Sequence, residues 1–203
     1  NSVWPFILVA ACMGICNATL VQTTSFYFQH VITPEASNPI TFASIGFMFV
    51  AFGSLVGQLF VADKLRISPG SLVRYGTLVT AISLFFISFS YSLTTIYISF
   101  FLIGLGQGTQ STGLSAALSL SVGQENQGKA NGFMGMILPV GHVISPAVAM
   151  PLYMASPELP YLLGSCAMFL ALIFIQINSR HKWIRKKGYR HINLNSNQPV
   201  EEA

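Results

Sequence analysis

Residues 41–74 read TFASIGFMFVAFGSLVGQLFVADKLRISPGSLVR, an apolar run over 41–62 that breaks into Asp63, Lys64, Arg66 and Arg74. A bilayer core of roughly 30 Å is crossed by about 20 apolar residues in a helix. The run is long enough, and basic residues crowd its far end. Working outward, stretches of the same kind lie at about 4–28, 71–91, 95–119, 130–154 and 159–178. Threading all six alternately through a bilayer, starting inside, puts Lys64, Arg66 and Arg74 at the second connection and Lys129 at the fourth. Arg180, Lys182, Arg185, Lys186, Lys187 and Arg190 fall in the tail. All 10 Lys and Arg then stand on one side, while the other face carries Glu35, Glu158 and His30. Cytoplasmic loops retain the basic residues, so the pattern predicts a polytopic membrane protein with both termini cytoplasmic.

Composition agrees. Charged residues make up 8% of the 203-residue chain, against roughly 25% in ordinary soluble domains. The net charge of +4 is the topogenic excess of the inner loops and tail, and gives no reason to expect nucleic acid. The chain opens on Asn1 and passes almost directly into an apolar stretch without a basic leader or cleavage site. That beginning reads as a piece of a longer chain rather than a signal peptide. Cys12, Cys16 and Cys166 lie in apolar helix interiors, with no His or Cys at ligand spacing; they read as small packing residues, and no metal or cofactor is expected.

The six stretches are unequally apolar. The sixth, Tyr161 to Ile177, is nearly pure Leu, Ile, Phe, Ala and Met, and the third resembles it, with Phe85, Phe86 and Phe89 on one greasy face. The first carries Asn17, Gln22, Thr23, Thr24 and Gln29; the fourth Gln107, Thr109, Gln110, Ser111 and Thr112; the fifth Asn131, His142 and Ser145. Polar groups are costly against lipid, so these three are expected to line a polar interior. Gly104 and Gly108 form a GxxxG face, and the fifth stretch holds Gly132, Gly135 and Gly141 with Pro139, Pro146 and Pro151. The six divide into two groups of three with the same polarity order. An odd number per group demands opposite insertion, which is the inverted repeat of many secondary transporters.

The residues carry a family resemblance at three places. Leu59 to Ser68, LFVADKLRIS, is similar to the inner-loop motif G-x-L-A-D-R-x-G-R-R, with Asp63 and Lys64 matching and Leu59 and Arg66 replacing glycines. Gly141 to Met150, GHVISPAVAM, resembles the antiporter motif G-x-x-x-G-P-x-x-G-G, and Gln127 to Gly132 resembles the loop entering that helix. Gly104 to Gly108 resembles R-x-x-Q-G with Gly104 in the arginine's place. Together these resemble the C-terminal six-helix half of a major facilitator superfamily transporter, most like bacterial drug:proton antiporters and efflux proteins.

The resemblance implies an all-α membrane protein: six transmembrane helices as two inverted three-helix repeats over residues 1–178, then a basic and disordered cytoplasmic tail over 179–203. It implies proton-coupled efflux of small neutral or amphipathic compounds across the bacterial inner membrane, with an N-terminal six-helix half and membrane lipids as partners. Asn17, Gln22, Phe26, Tyr27, Gln107, Gln110 and His142 are the expected cavity lining. Asp63, Lys64 and Arg66 are the expected conformational latch, and Gly141, Ser145 and Pro146 the expected helix-bending motif. His142, the one ionisable residue deep in an apolar stretch, reads either as a proton-coupling group or as a neutral histidine bonded across a helix interface. Two other classes compete. A six-helix channel or oligomeric scaffold would show a pore loop or charged ring, and neither is present. An intramembrane serine protease built on Ser111 or Ser115 with His142 has only Thr112-Gly113-Leu114-Ser115 as a faint nucleophile setting.

Overall fold

The computed structural model describes residues 4–32, 38–61, 68–121, 125 and 127–179. Six α-helices run through them: α1 Trp4–Tyr27, α2 Pro39–Val56, α3 Pro69–Ser88, α4 Leu93–Ser121, α5 Gln127–Ala155 and α6 Leu159–Ser179. α1 and α2 each continue into a turn of π-helix, Phe28–Ile32 and Gly57–Val61. Four spans, Ile7–Ile32, Pro39–Leu59, Pro69–Ser88 and Leu159–Ile177, are long and apolar enough to cross a membrane. α4 and α5 are the longest helices at 29 residues each, about 44 Å, and carry the Gly, Gln, Thr and Pro residues that dilute their apolar character.

Helix ends follow local chemistry. Pro39 and Pro69 sit at the first turns of α2 and α3, where the missing N–H is no loss and φ is already set. Ser68 caps α3 by accepting from Ser71 N at 3.4 Å. α3 stops at Ser88, short of the expected 91, because Phe89 N and Ser90 N turn back to Phe86 O and Ile87 O. α5 begins at Gln127, so the Gln-Gly-Lys stretch expected in the inner loop is helical. It then runs through Pro139, Pro146 and Pro151 as one helix.

The helices pack in two layers. α1 lies beside α5, α4 beside α2, and α1 and α4 touch each other lightly. Behind them α6 packs on α1, α3 packs on α4, and α3 and α6 meet. One apolar cluster, including Leu20, Tyr27, Phe28, Leu84, Ile87, Ile96, Phe100, Tyr161 and Met168, fills the space between α1, α3, α4 and α6 at one end. A second, with Val9, Ala10, Val73, Leu114, Ala171 and Ile175, fills it at the other. Between lipid-solvated helices such packing acts through close contact rather than through release of water.

α2 and α4 approach most closely. A Cβ on Gly53 would run into Phe101 O, one on Gly104 into Val50 O, and one on Gly108 into Ser54 O. The GxxxG face of α4 therefore meets a matching face on α2, with Gly57 2.5 Å from Leu105 O by the same measure. α5 is held by a narrow stripe, with Gly141, Ser145, Ala149 and Tyr153 buried at four-residue spacing while His142, Val143, Pro146 and Ala147 are exposed. α3 has two faces: Phe85, Phe86 and Phe89 point outward, while Thr77, Thr80, Ser83 and Ser88 are buried and bond to carbonyls one turn back. Sequence reading found the first face and missed the second.

Candidate functional site

α1 stands between α5 and α4 and bonds to both through polar side chains. Toward α4, Asn17 Nδ2 donates to Gln107 Oε1 at 2.9 Å. Toward α5, Thr19 Oγ1 and Ser145 Oγ share a hydrogen bond at 3.2 Å, and Gln22 Nε2 donates to the backbone oxygen of His142 at 3.4 Å. One turn below, Gly141 lets the backbones close: a Cβ there would lie 2.7 Å from the Gly14 carbonyl. The helices are thus tied by amides and hydroxyls, which bond in apolar surroundings without the desolvation cost of a charge. His142 itself is exposed, one residue from the buried stripe.

The far end of the α1–α5 pair is aromatic. Phe26 stacks on His30 with centroids 6.3 Å apart, and His30 Nδ1 lies 3.1 Å from Tyr153 Oη. Phe26 is exposed and also faces the Tyr153 ring at 6.1 Å. His30 and Tyr153 were absent from the expected site. Their pairing across 123 residues has no signature in local sequence.

Asn17, Gln22, Gln107 and His142 are brought together around the α1–α4 and α1–α5 contacts, with Phe26 above them. Two residues expected beside them stand elsewhere. Tyr27 is 1% exposed and points backward, its hydroxyl donating to Ile87 O of α3 at 3.2 Å and its ring edge-on to Tyr161. Gln110 is wholly buried against α3, where a Cβ on Gly76 would lie 2.8 Å from Gln110 Cβ, and neither of its amide atoms has a partner among the described residues. Asp63, Lys64 and Arg66 lie outside the described residues. Gly141 and Ser145 are contact residues of the α1–α5 interface, and Pro146 is exposed beside them. Ser111 Oγ is bonded to Gly108 O within its own helix, at 3.0 Å. No group of His, Cys, Asp and Glu able to hold a metal occurs among the described residues.

The sequence profile of the Major Facilitator Superfamily matches residues 6–194. The chain belongs to that superfamily. Solved structures similar in fold include the POT family transporter PepTSo, with a TM-score of 0.75 at 17% identity over 88% of this chain. A mutant of the peptide transporter POT gives 0.76 at 17% over 90%, and a POT family transporter in complex with 5-aminolevulinic acid gives 0.75 at 16% over 88%. The superfamily chain spans only 37–38% of the length of these three transporters. Comparison with curated proteins finds no match.

Proposed function

We propose that this chain is the C-terminal six-helix half of a secondary active transporter, in which it rocks against an N-terminal six-helix bundle around a substrate held between them. The observation that carries the reading is the pattern of helix contacts. Exchanging α1 with α4, α2 with α5 and α3 with α6 turns the α1–α5 pair into α4–α2 and the α3–α4 pair into α6–α1, and leaves α3–α6 unchanged. This supports two inverted three-helix repeats. α1 and α4 are counterparts under the exchange, and Asn17 and Gln107 meet at their seam. α2 and α5 are the counterparts with the most uncovered apolar surface, including Met48, Phe52, Leu55, Val143 and Met154, as expected of helices that border a second bundle.

The cavity is assigned to the α1–α4–α5 face, lined by Asn17, Gln22, Phe26, Gln107 and His142. An amide-rich lining without fixed charge suits small neutral or amphipathic compounds. His142 is assigned proton coupling, and the direction is assigned as efflux across the bacterial inner membrane, with both termini cytoplasmic and Asp63, Lys64 and Arg66 latching the inner end. The structural relatives named for peptides and for 5-aminolevulinic acid make small peptides and amino acids a second substrate class to test.

The test is the full-length protein in proteoliposomes under an imposed pH gradient. Substrate-dependent proton movement, with compounds of either class, is expected. Gradient-independent ion conductance without substrate flux would instead establish a channel and overturn the proposal.

A further inference from the structure

On the outer side of the bundle, away from the polar seam, α3 and α6 leave a groove of about 380 Å³. We infer that it is a binding site for an anionic phospholipid of the cytoplasmic leaflet. Ser71, Arg74, Tyr75 and Leu78 of α3 line one side, and Leu172, Ile173 and Gln176 of α6 line the other. The two helices run antiparallel, since Ser165 of α6 bonds to Ala81 of α3 while Leu172 and Ile173 lie beside Arg74. Arg74 is five residues into α3, about 8 Å along its axis, and Leu78 lies about 6 Å deeper. The groove is therefore polar toward the helix ends, at Ser71 and Gln176, mixed where Arg74 lies beside Leu172 and Ile173, and apolar deeper at Leu78, so a headgroup would meet Arg74 with its acyl chains running inward.

Arg74 supplies the charge complementarity. Its Nε is buried and has no hydrogen-bond partner among the described residues. A buried guanidinium N–H left unpaired is costly, and a phosphate diester offers the paired oxygens that its fork fits. Tyr75, 59% exposed, stands next to it with a ring and hydroxyl suited to the interface. The sequence flanking both helix ends is basic, with Lys64 and Arg66 before α3 and Arg180 and Lys182 after α6, which favours an anionic over a zwitterionic headgroup. The inference rests on the membrane orientation proposed above but not on transport.

The experiment is native mass spectrometry of the full-length protein in detergent, titrated with phosphatidylglycerol or with phosphatidylcholine of the same acyl chains. Phosphatidylglycerol is expected to bind more tightly. Arg74→Gln should lower its affinity roughly fivefold and leave phosphatidylcholine unchanged, and Arg74→Lys should keep the preference. Leu172→Trp, which fills the groove from α6 beside Arg74, should weaken both lipids, so the site remains testable if Arg74→Gln does not fold. Millimolar inorganic phosphate should not displace the lipid; if it does, the site is one for free phosphate. Equal binding of the two lipids overturns the assignment. So does an Arg74→Gln protein that is less stable but keeps its lipid preference, which would make Asp63 or another chain group the partner of Arg74. Because binding is read without any gradient, it can fail while transport succeeds, and the reverse.

Discussion

Asn17 and Gln107 are bonded side chain to side chain at 2.9 Å across the seam where α1 and α4 otherwise touch lightly. Each lies near the middle of its helix, about 20 Å from the start, so the bond spans the centre of the proposed cavity face. A double-mutant cycle with Asn17→Ala and Gln107→Ala should give a coupling of about 0.6 kcal/mol and no more than ~1.7, the range for interhelical bonds in membranes. Thermal unfolding in detergent reads it. Strictly additive losses would mean the two amides do not bond in the folded protein. Transport should fall in both single variants by more than their stability loss explains.

The close approach of α2 and α4 makes a sharper prediction. Gly104→Ala would drive a methyl into Val50 O, and Gly108→Ala one into Ser54 O, so each should cost about 1–3 kcal/mol and broaden the size-exclusion profile. Gly132→Ala on α5, with open space around it, should leave both unchanged. If Gly104→Ala is as stable as Gly132→Ala, the α2–α4 packing is wrong. The same contact explains why Gly104 stands where the resembled motif has arginine: α2 backbone occupies the space.

Much of the fold was legible because a bilayer leaves few choices. Apolar runs of sufficient length read directly as helices, and prolines at 39 and 69 mark first turns that pattern alone placed two residues late. What resisted reading was rotation about each helix axis. In lipid both faces are apolar, so Tyr27 gave no sign that it turns back toward Ile87 rather than forward beside Phe26. Gln110 failed for a geometric reason. It follows Gln107 by three residues, which on a 3.6-residue helix moves it about 60° around the axis, enough to leave the seam and press against Gly76. The His30–Tyr153 bond and the α3–α6 groove depend on long-range packing and had no local signal.

Gln110 therefore carries its own prediction. A fully buried amide with neither atom bonded among the described residues costs about 1–3 kcal/mol relative to an apolar side chain of the same shape. Gln110→Leu should raise the unfolding temperature in detergent. Transport should fall at the same time if the amide finds its partner in the opposite-facing state, since a side chain unsatisfied in one conformation biases the equilibrium toward another. A variant that is less stable than the parent would show that Gln110 is already bonded here.

His142 separates backbone from side chain in a way a substitution can exploit. Gln22 bonds to its backbone oxygen, so His142→Ala leaves that link between α1 and α5 in place and should unfold within a few degrees of the parent. The imidazole, exposed beside the buried stripe of α5, is the only ionisable group on the proposed cavity lining and is the assigned proton carrier. His142→Ala should abolish uptake or efflux driven by a pH gradient in proteoliposomes while substrate exchange without a gradient continues. His142→Gln, which keeps hydrogen bonding but not titration, should behave the same way. Full gradient-driven transport in either variant would remove His142 from the coupling mechanism, and loss of exchange as well would make it a substrate contact instead.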